Sequence, residues 1–341
     1  MAPPPPPYPS NEITLGNPKR SCWTFDSSTG FYDLTHPTRS RHSRSYPCLR
    51  LKTTTEPIIV NPHKCALIVV DLQNLFLSRA LGNRQSTLHH AEETLRMLAY
   101  PAAREAGIQI VHLTWGFTEE EIRSAPPPIL RRFGTLLDRM NIQQGTCSSS
   151  ASSASSLSFS VKSPTSPTLL KPTMAKPTLG DEIGPVTLWN KQIILGGRLL
   201  VRNTWNADLY ESTRRAFTAS HDTPLPDARF HKTRPSGFFW GGAPSGSGDA
   251  GGPDIVRYLR ARGITTLFFG GAGTEAGIWA SAQDACNWGF DVVLLADGCG
   301  TTAGEDMVRM VEDSCAEDVG FVTSCEELAR GVAGMVGAEK R

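Results

Sequence analysis

Apolar and polar positions alternate along this 341-residue chain in blocks that read as strand, helix, strand. "CALIVVDLQ" (65–73) is a short β-branched run closed by Asp71, the pattern of a strand buried on both faces of a parallel sheet. "TLHHAEETLRMLAYPAAREAG" (87–107) has helical spacing, with Leu88, Leu95 and Leu98 predicted on one face and Gly107 as the stop. "IQIVHLTW" (108–115) is a second buried strand, so a right-handed βαβ unit is expected. Further on, "KQIILGGRLLV" (191–201) predicts a hairpin turning at Gly196-Gly197, and "ARFHK" (228–232) a short strand running into Lys232. "PDIVRYLRARG", "ITTLFFGG", "FDVVLLAD", "AGEDMVRMVEDSCAED" and "FVT" continue the alternation of helix and strand. Repeated units of this kind predict an α/β fold, a three-layer αβα sandwich around a central, mostly parallel sheet.

Two stretches break the pattern. Residues 1–55 are rich in Pro, Ser, Thr and Arg without a sustained apolar period, which predicts an extension whose proline run is solvated polyproline II. Its "TFDSSTGFYDLTHP" spaces aromatics among turn formers, a composition able to pack onto the domain. From about 146 to 179 a Ser/Pro-rich segment has too little apolar surface to offset its ordering entropy. Strand–helix alternation resumes after it, so it reads as a disordered insertion within one domain at 56–337.

Composition narrows the functional classes. A net charge of +1 supplies no field for nucleic acid or an anionic membrane, and no apolar run reaches the ~18 residues that span a bilayer. The eight cysteines are scattered without CxxC pairs, and the opening residues lack the regions of a signal peptide. The expected setting is reducing and cytoplasmic, and the expected partner a small-molecule substrate.

The candidate chemistry lies at strand ends. In "GGAGTEAG" the glycines at 271, 273 and 277 follow a strand and open a helix, and Asp297 ends the next strand, as in a dinucleotide site. The spacing is GxGxxxG rather than GxGxxG, and the unit comes late in the chain, which disfavours a cofactor loop. Ligands of open parallel sheets sit outside the carboxyl ends of the strands. Asp71, Lys232 and the 273–277 turn all end strands, giving an acid, a cation and a helix start that suit a developing oxyanion.

"ALIVVDLQNLF", "HKTRPSG" and "GITTLFFGGAGTEAGIWASAQDACNWGFDVVLLADGCGTT", in that order, resemble the signature segments of the isochorismatase-like (cysteine hydrolase) superfamily, particularly its fungal members. "STGFYDLTHP" and "RNTWNADLY" resemble further pieces of that branch, and the likeness spans roughly 56–335. It implies an Asp–Lys–Cys triad with Asp71 as acid/base and Lys232 as activating cation. Gly277 falls where the nucleophilic Cys belongs. Cys286, two and a half helical turns on, is expected on the opposite side, and Cys299, in a loop that can reach the rim, has no helix N-terminus to lower its pKa, so both read as structural.

The isochorismatases proper are similar in carrying Gly there. Their vinyl ether cleavage implies Asp71 as proton donor, provided burial raises its pKa against the pull of Lys232. The resemblance also implies a cis peptide between Ala272 and Gly273 that aims the Gly273 and Gly277 N–H groups as an oxyanion hole. Gln73, Trp115 and Ser236 are the substrate-binding candidates, with Arg234 as an alternative to Ser236. Phe76, Trp205, Phe238 and Trp240 are further candidate walls. The zinc of related nicotinamidases needs an Asp-x-His pair where this chain has Thr114, Trp115 and Gly116, so neither metal nor cofactor is expected. Three functions remain open: a hydrolase acting on a C–O or C–N bond, a catalytically silent binder using the same cleft, and a nicotinamide-dependent oxidoreductase. Family members often associate, so a homo-oligomer is also an expectation.

Overall fold

The computed structural model describes residues 11–17, 21–36, 47–134, 178–240 and 252–339. Its first five strands are β1 (Glu12–Asn17), β2 (Ser21–Asp26), β3 (Phe31–Asp33), β4 (Leu49–Leu51) and β5 (Ile58–Val60), paired in the order β1-β2-β3-β5-β4. The described part of 1–55 therefore contributes strands to a sheet. These strands are three to six residues long, too short to show a period, and distant contacts hold them. Trp23 Nε1 donates to Asp291 Oδ1 at 2.8 Å, and His36 Nε2 lies 2.7 Å from Asp291 Oδ2. The Trp23 and Tyr32 rings rest on Phe321 at 5.6 and 5.8 Å. The proline run lies outside the described residues. So does the Ser/Pro-rich insertion up to residue 177, whereas Leu179 at its end is buried.

The main sheet begins at β6 (Cys65–Val70). It is followed by α1 (Asn74–Leu77), α2 (Ser86–Thr94), a π-helical turn (Leu95–Ala99), α3 (Tyr100–Ala106) and β7 (Gln109–Trp115). Next come α4 (Glu119–Arg123), α5 (127–134), the hairpin β8 (Pro185–Thr187) and β9 (Ile193–Leu195), α6 (Glu211–Ser220) and β10 (Ala228–Lys232). The last part holds α7 (Asp254–Ala261), β11 (Thr266–Ala272), α8 (Trp279–Asn287), β12 (Asp291–Gly300), α9 (Glu305–Ser314), β13 (Gly320–Thr323) and α10 (Cys325–Glu339).

Six strands pair in parallel in the order β10-β7-β6-β11-β12-β13. Period-two alternation sorts β6 between two cores. Cys65, Leu67 and Val69 join one formed with α2, α3, α10, β4 and β5, while Ala66, Ile68 and Val70 join the other with α7, α8 and α9. The result is the expected three-layer α/β sandwich. The order reverses between β6 and β11, so a crevice opens at their carboxyl ends.

Two local expectations change. The hairpin turns at 188–192, where Lys191 has φ 66°, and Gly196 and Gly197 follow β9 instead of forming its turn. Leu98 is 36% exposed because the π-helical turn shifts the register and buries Ala99 with Leu95. Gly107 closes α3 in the left-handed region, as its position in the sequence predicts.

Candidate active site

Asp71 is the first residue beyond β6, and its φ of 56° puts it in the left-handed region that Asp tolerates better than most residues. Its N–H still bonds Leu113 O at 2.9 Å, so strand pairing continues up to the turn. Lys232 is the last residue of β10. Its Nζ lies 2.9 Å from Asp71 Oδ2, donates to Pro235 O at 3.0 Å and sits 4.0 Å from the Trp115 ring centroid. Both side chains are buried. The ends of three adjacent strands, β6, β7 and β10, thus build one ion pair on an aromatic floor.

The glycine turn completes the site from the other side. Gly271, at φ 134°, lets β11 approach β6 so closely that a Cβ would stand 2.0 Å from Val70 O. The chain reverses at Gly273 (φ 81°) and enters α8 through a π-helical turn, Thr274–Ile278. An ideal Cβ on Gly277 would lie 2.8 Å from Asp71 Oδ2, 3.1 Å from Lys232 Nζ and 3.3 Å from Val70 Cγ1. Asp71, Lys232 and Gly277 therefore meet at one point. Two expectations for this turn change. No described peptide bond is cis, Ala272–Gly273 included, and the Gly273 N–H donates to Gly300 O at 2.7 Å. A bulge in the β11–β12 pairing after Phe269 brings Gly300 within reach of that donor.

Burial raises the Asp71 pKa, against the opposing pull of Lys232 and Arg132. Burial likewise lowers that of Lys232, against Asp71. Both shifts weaken the preference for two buried charges over the neutral pair. Oδ2 faces the lysine, while Oδ1 is buried with no hydrogen-bond partner among the described residues. An unpartnered oxygen on a buried carboxyl is well placed to carry a proton toward a bound molecule.

A cleft of about 880 Å³ opens above this point, lined by Asp71, Phe76, Trp115, Arg132, Glu275 and Gly277 among others. The remaining sequence candidates divide. Trp115 and Phe76 are walls. Gln73 does not face the cleft: its Nε2 donates to Trp115 O (2.8 Å) and Ala207 O (2.7 Å), and its Oε1 accepts from Trp115 N (2.8 Å). It fastens the ends of β6 and β7 to the 205–209 segment. Ser236 and Arg234 line a separate pocket beyond β10, and Ser236 Oγ accepts from Phe238 N. Phe238 is core against Phe269 and Phe290, Trp240 lines that second pocket, and Trp205 lines neither.

No cysteine lines the cleft among the described residues. Cys286 and Cys299 pack beside the α7–α9 core, where burial raises both thiols. Asp297 caps α10 by accepting from Cys325 N at 2.6 Å, so the carboxylate that a dinucleotide site needed is engaged elsewhere.

Sequence reasoning missed α5 and Glu275. Helix α5 opens with Pro127 and Pro128 and carries Arg131, Arg132 and Phe133 onto the cleft wall. Its signal was present in "PPPILRRFG", since proline is well tolerated in a first helical turn.

The isochorismatase domain model matches residues 197–327. Ureidoacrylate amidohydrolase RutB of Caulobacter segnis is 24% identical over 272 residues, 77% of this chain and 82% of that protein. The uncharacterized isochorismatase family protein YecD of Escherichia coli O157:H7 is 29% identical over 118 residues, 31% of this chain and 58% of that one. A cysteine hydrolase from Pseudomonas syringae pv. phaseolicola superposes with a TM-score of 0.50 at 17% identity, covering 86% of this chain and 100% of the other. Residues 197–327 are thus similar to an isochorismatase domain, and the fold is similar to that of the solved cysteine hydrolase.

Proposed function

We propose that this chain hydrolyses a small organic molecule through Asp71 and Lys232 above Gly277, cleaving a vinyl ether C–O bond without a covalent enzyme intermediate. The observation that carries this reading is the bare Cα at 277 facing the ion pair, with a Cβ position only 2.8 Å from Asp71 Oδ2. A thiol there would attack a carbonyl; a glycine leaves room for substrate and water. Asp71, its pKa raised by burial, protonates the terminal alkene carbon while the ether oxygen's lone pair forms the oxocarbenium ion. Water adds to that ion and returns a proton to the Asp71 carboxylate, and the resulting hemiketal collapses to a carbonyl product and an alcohol. Lys232, 2.9 Å from Oδ2, balances the carboxylate's charge between the two steps.

Amide C–N cleavage, the chemistry named for the RutB relatives, requires a nucleophile that no described lining residue at 277 supplies. A second reading, a silent fold that binds a ligand in this cleft, is favoured by one observation. The Gly273 N–H is engaged by Gly300 O, which leaves a two-donor oxyanion hole short of one donor. Vinyl ether cleavage develops positive charge and does not need that hole.

The test is an assay of purified protein and Asp71→Asn against a panel of vinyl ethers, esters and amides. We expect vinyl ether turnover and its loss by roughly 10²–10⁴-fold in Asp71→Asn. Absence of turnover on the whole panel, or an equally active Asp71→Asn, sinks the enzymatic reading.

A further inference from the structure

We propose that Arg132 makes this cleft selective for an anion: a small molecule with an apolar body among Trp115, Phe133 and Phe76, and a carboxylate-type group on the guanidinium. The inference rests on reading this cleft as the active site. The Arg132 guanidinium lies 5.9 Å from the centroid of the same Trp115 ring that supports Lys232 at 4.0 Å. Among the described residues no carboxylate forms a salt bridge with it. Of the two acids on the cleft wall, Asp71 is paired with Lys232 and Glu275 accepts from Thr301 Oγ1. An exposed arginine beside an aromatic wall, at the rim of a cleft of about 880 Å³, has the geometry of an anion reader.

The position has a consequence for the proton. Lys232 on β10 and Arg132 on α5 both favour ionised Asp71. The other charged groups on the wall are Glu275 and Arg131, the latter already holding a partner of its own. A bound anion offsets Arg132, so its arrival favours the protonated carboxyl that donates. Recognition of the substrate and loading of the acid become one event.

The test is isothermal titration of the full chain with phenylacetate and with its neutral counterpart, benzyl methyl ketone. The expected result is a preference for phenylacetate of about tenfold or more, lost in Arg132→Gln and partly kept in Arg132→Lys. Titration in buffers of different ionisation enthalpy should show proton uptake with phenylacetate that disappears in Asp71→Asn. Equal affinity for the two ligands, failure of both to bind, or a preference unchanged in Arg132→Gln overturns the assignment; absence of proton uptake overturns the coupling. Turnover is not needed. An Arg132-dependent preference in a protein that hydrolyses nothing leaves the anion site standing without the hydrolase reading. Hydrolysis without such a preference does the reverse.

Discussion

Replacing Gly277 by Cys adds a Cβ whose ideal position is 2.8 Å from Asp71 Oδ2 and 3.1 Å from Lys232 Nζ. The backbone there is not in the left-handed region, so the fit depends on two side-chain ends giving way by a few tenths of an ångström. That overpacking costs about 1–3 kcal/mol. The new sulfur then sits within roughly 4 Å of both charges, where a unit charge is worth about 4 kcal/mol at an effective dielectric of about 20. Each charge alone displaces the thiol by about 3 pKa units, and the two act in opposite senses.

Three variants separate the contributions. In Gly277→Cys the charges nearly cancel and the thiol titrates near or above about 8.5. In Gly277→Cys/Asp71→Asn only Lys232 acts, and the thiol falls toward about 5–6. In Gly277→Cys/Lys232→Met it rises above about 10. Thiolate ultraviolet absorbance, read as a difference from the parent protein, follows the new sulfur. Native Cys65, Cys286, Cys299, Cys315 and Cys325 stay silent because burial raises them. If all three variants titrate within about one unit of each other, the sulfur is not beside the ion pair, and the convergence of Asp71, Lys232 and Gly277 is wrong.

Three further outcomes follow from the same contacts. The proposed vinyl ether cleavage needs protonated Asp71, whose pKa is raised, so kcat/KM should be level in acid and fall with rising pH above the ordinary carboxylate range; a profile that instead rises with pH contradicts the donor role. Gln73→Leu leaves the Trp115 N–H and carbonyl without their buried partner, while Ala207 O keeps Arg229, and should cost about 2–4 kcal/mol in urea unfolding; a loss under about 1 kcal/mol would falsify the clamp. Buried His112, held 3.3 Å from Asp227 Oδ2, has its pKa lowered chiefly by burial. As pH falls below about 6.5 the unfolded chain takes up a proton that the fold resists, so this contribution to stability is lost on acidification. His112→Gln should start less stable and close the gap to the parent as pH falls, and a gap independent of pH would rule that account out.

The strand ends were legible from sequence because hydrophobic runs stop abruptly. "ALIVVD" marks Asp71, "ARFHK" marks Lys232, and a glycine turn after "LFF" marks 273–277. Parallel pairing then leaves little choice about where they meet. Gln73 was placed near the site for the right reason, its adjacency to Asp71, but its amide serves three backbone groups that only the fold brings together. The engagement of Gly273 by Gly300 depends on a bulge that leaves no mark in composition. The N-terminal strands were illegible because their order comes from Asp291 and Phe321, more than 250 residues away in sequence. Arg132 was overlooked since nothing in "LRRFG" separates a cleft arginine from a solvated one.

Asp291 has a practical corollary for anyone shortening this protein. Its carboxylate receives the part-buried Trp23 indole, the buried Thr266 hydroxyl and a close buried contact from His36. A chain begun at residue 56, after the extension, would keep the charge and lose two of its three companions. It would also bare the floor on which Leu34, Leu49 and Leu51 rest. The unit that must be expressed in one piece therefore starts well upstream of the 197–327 match, and a truncation that precipitates would report a missing wall, with no bearing on the chemistry at Asp71.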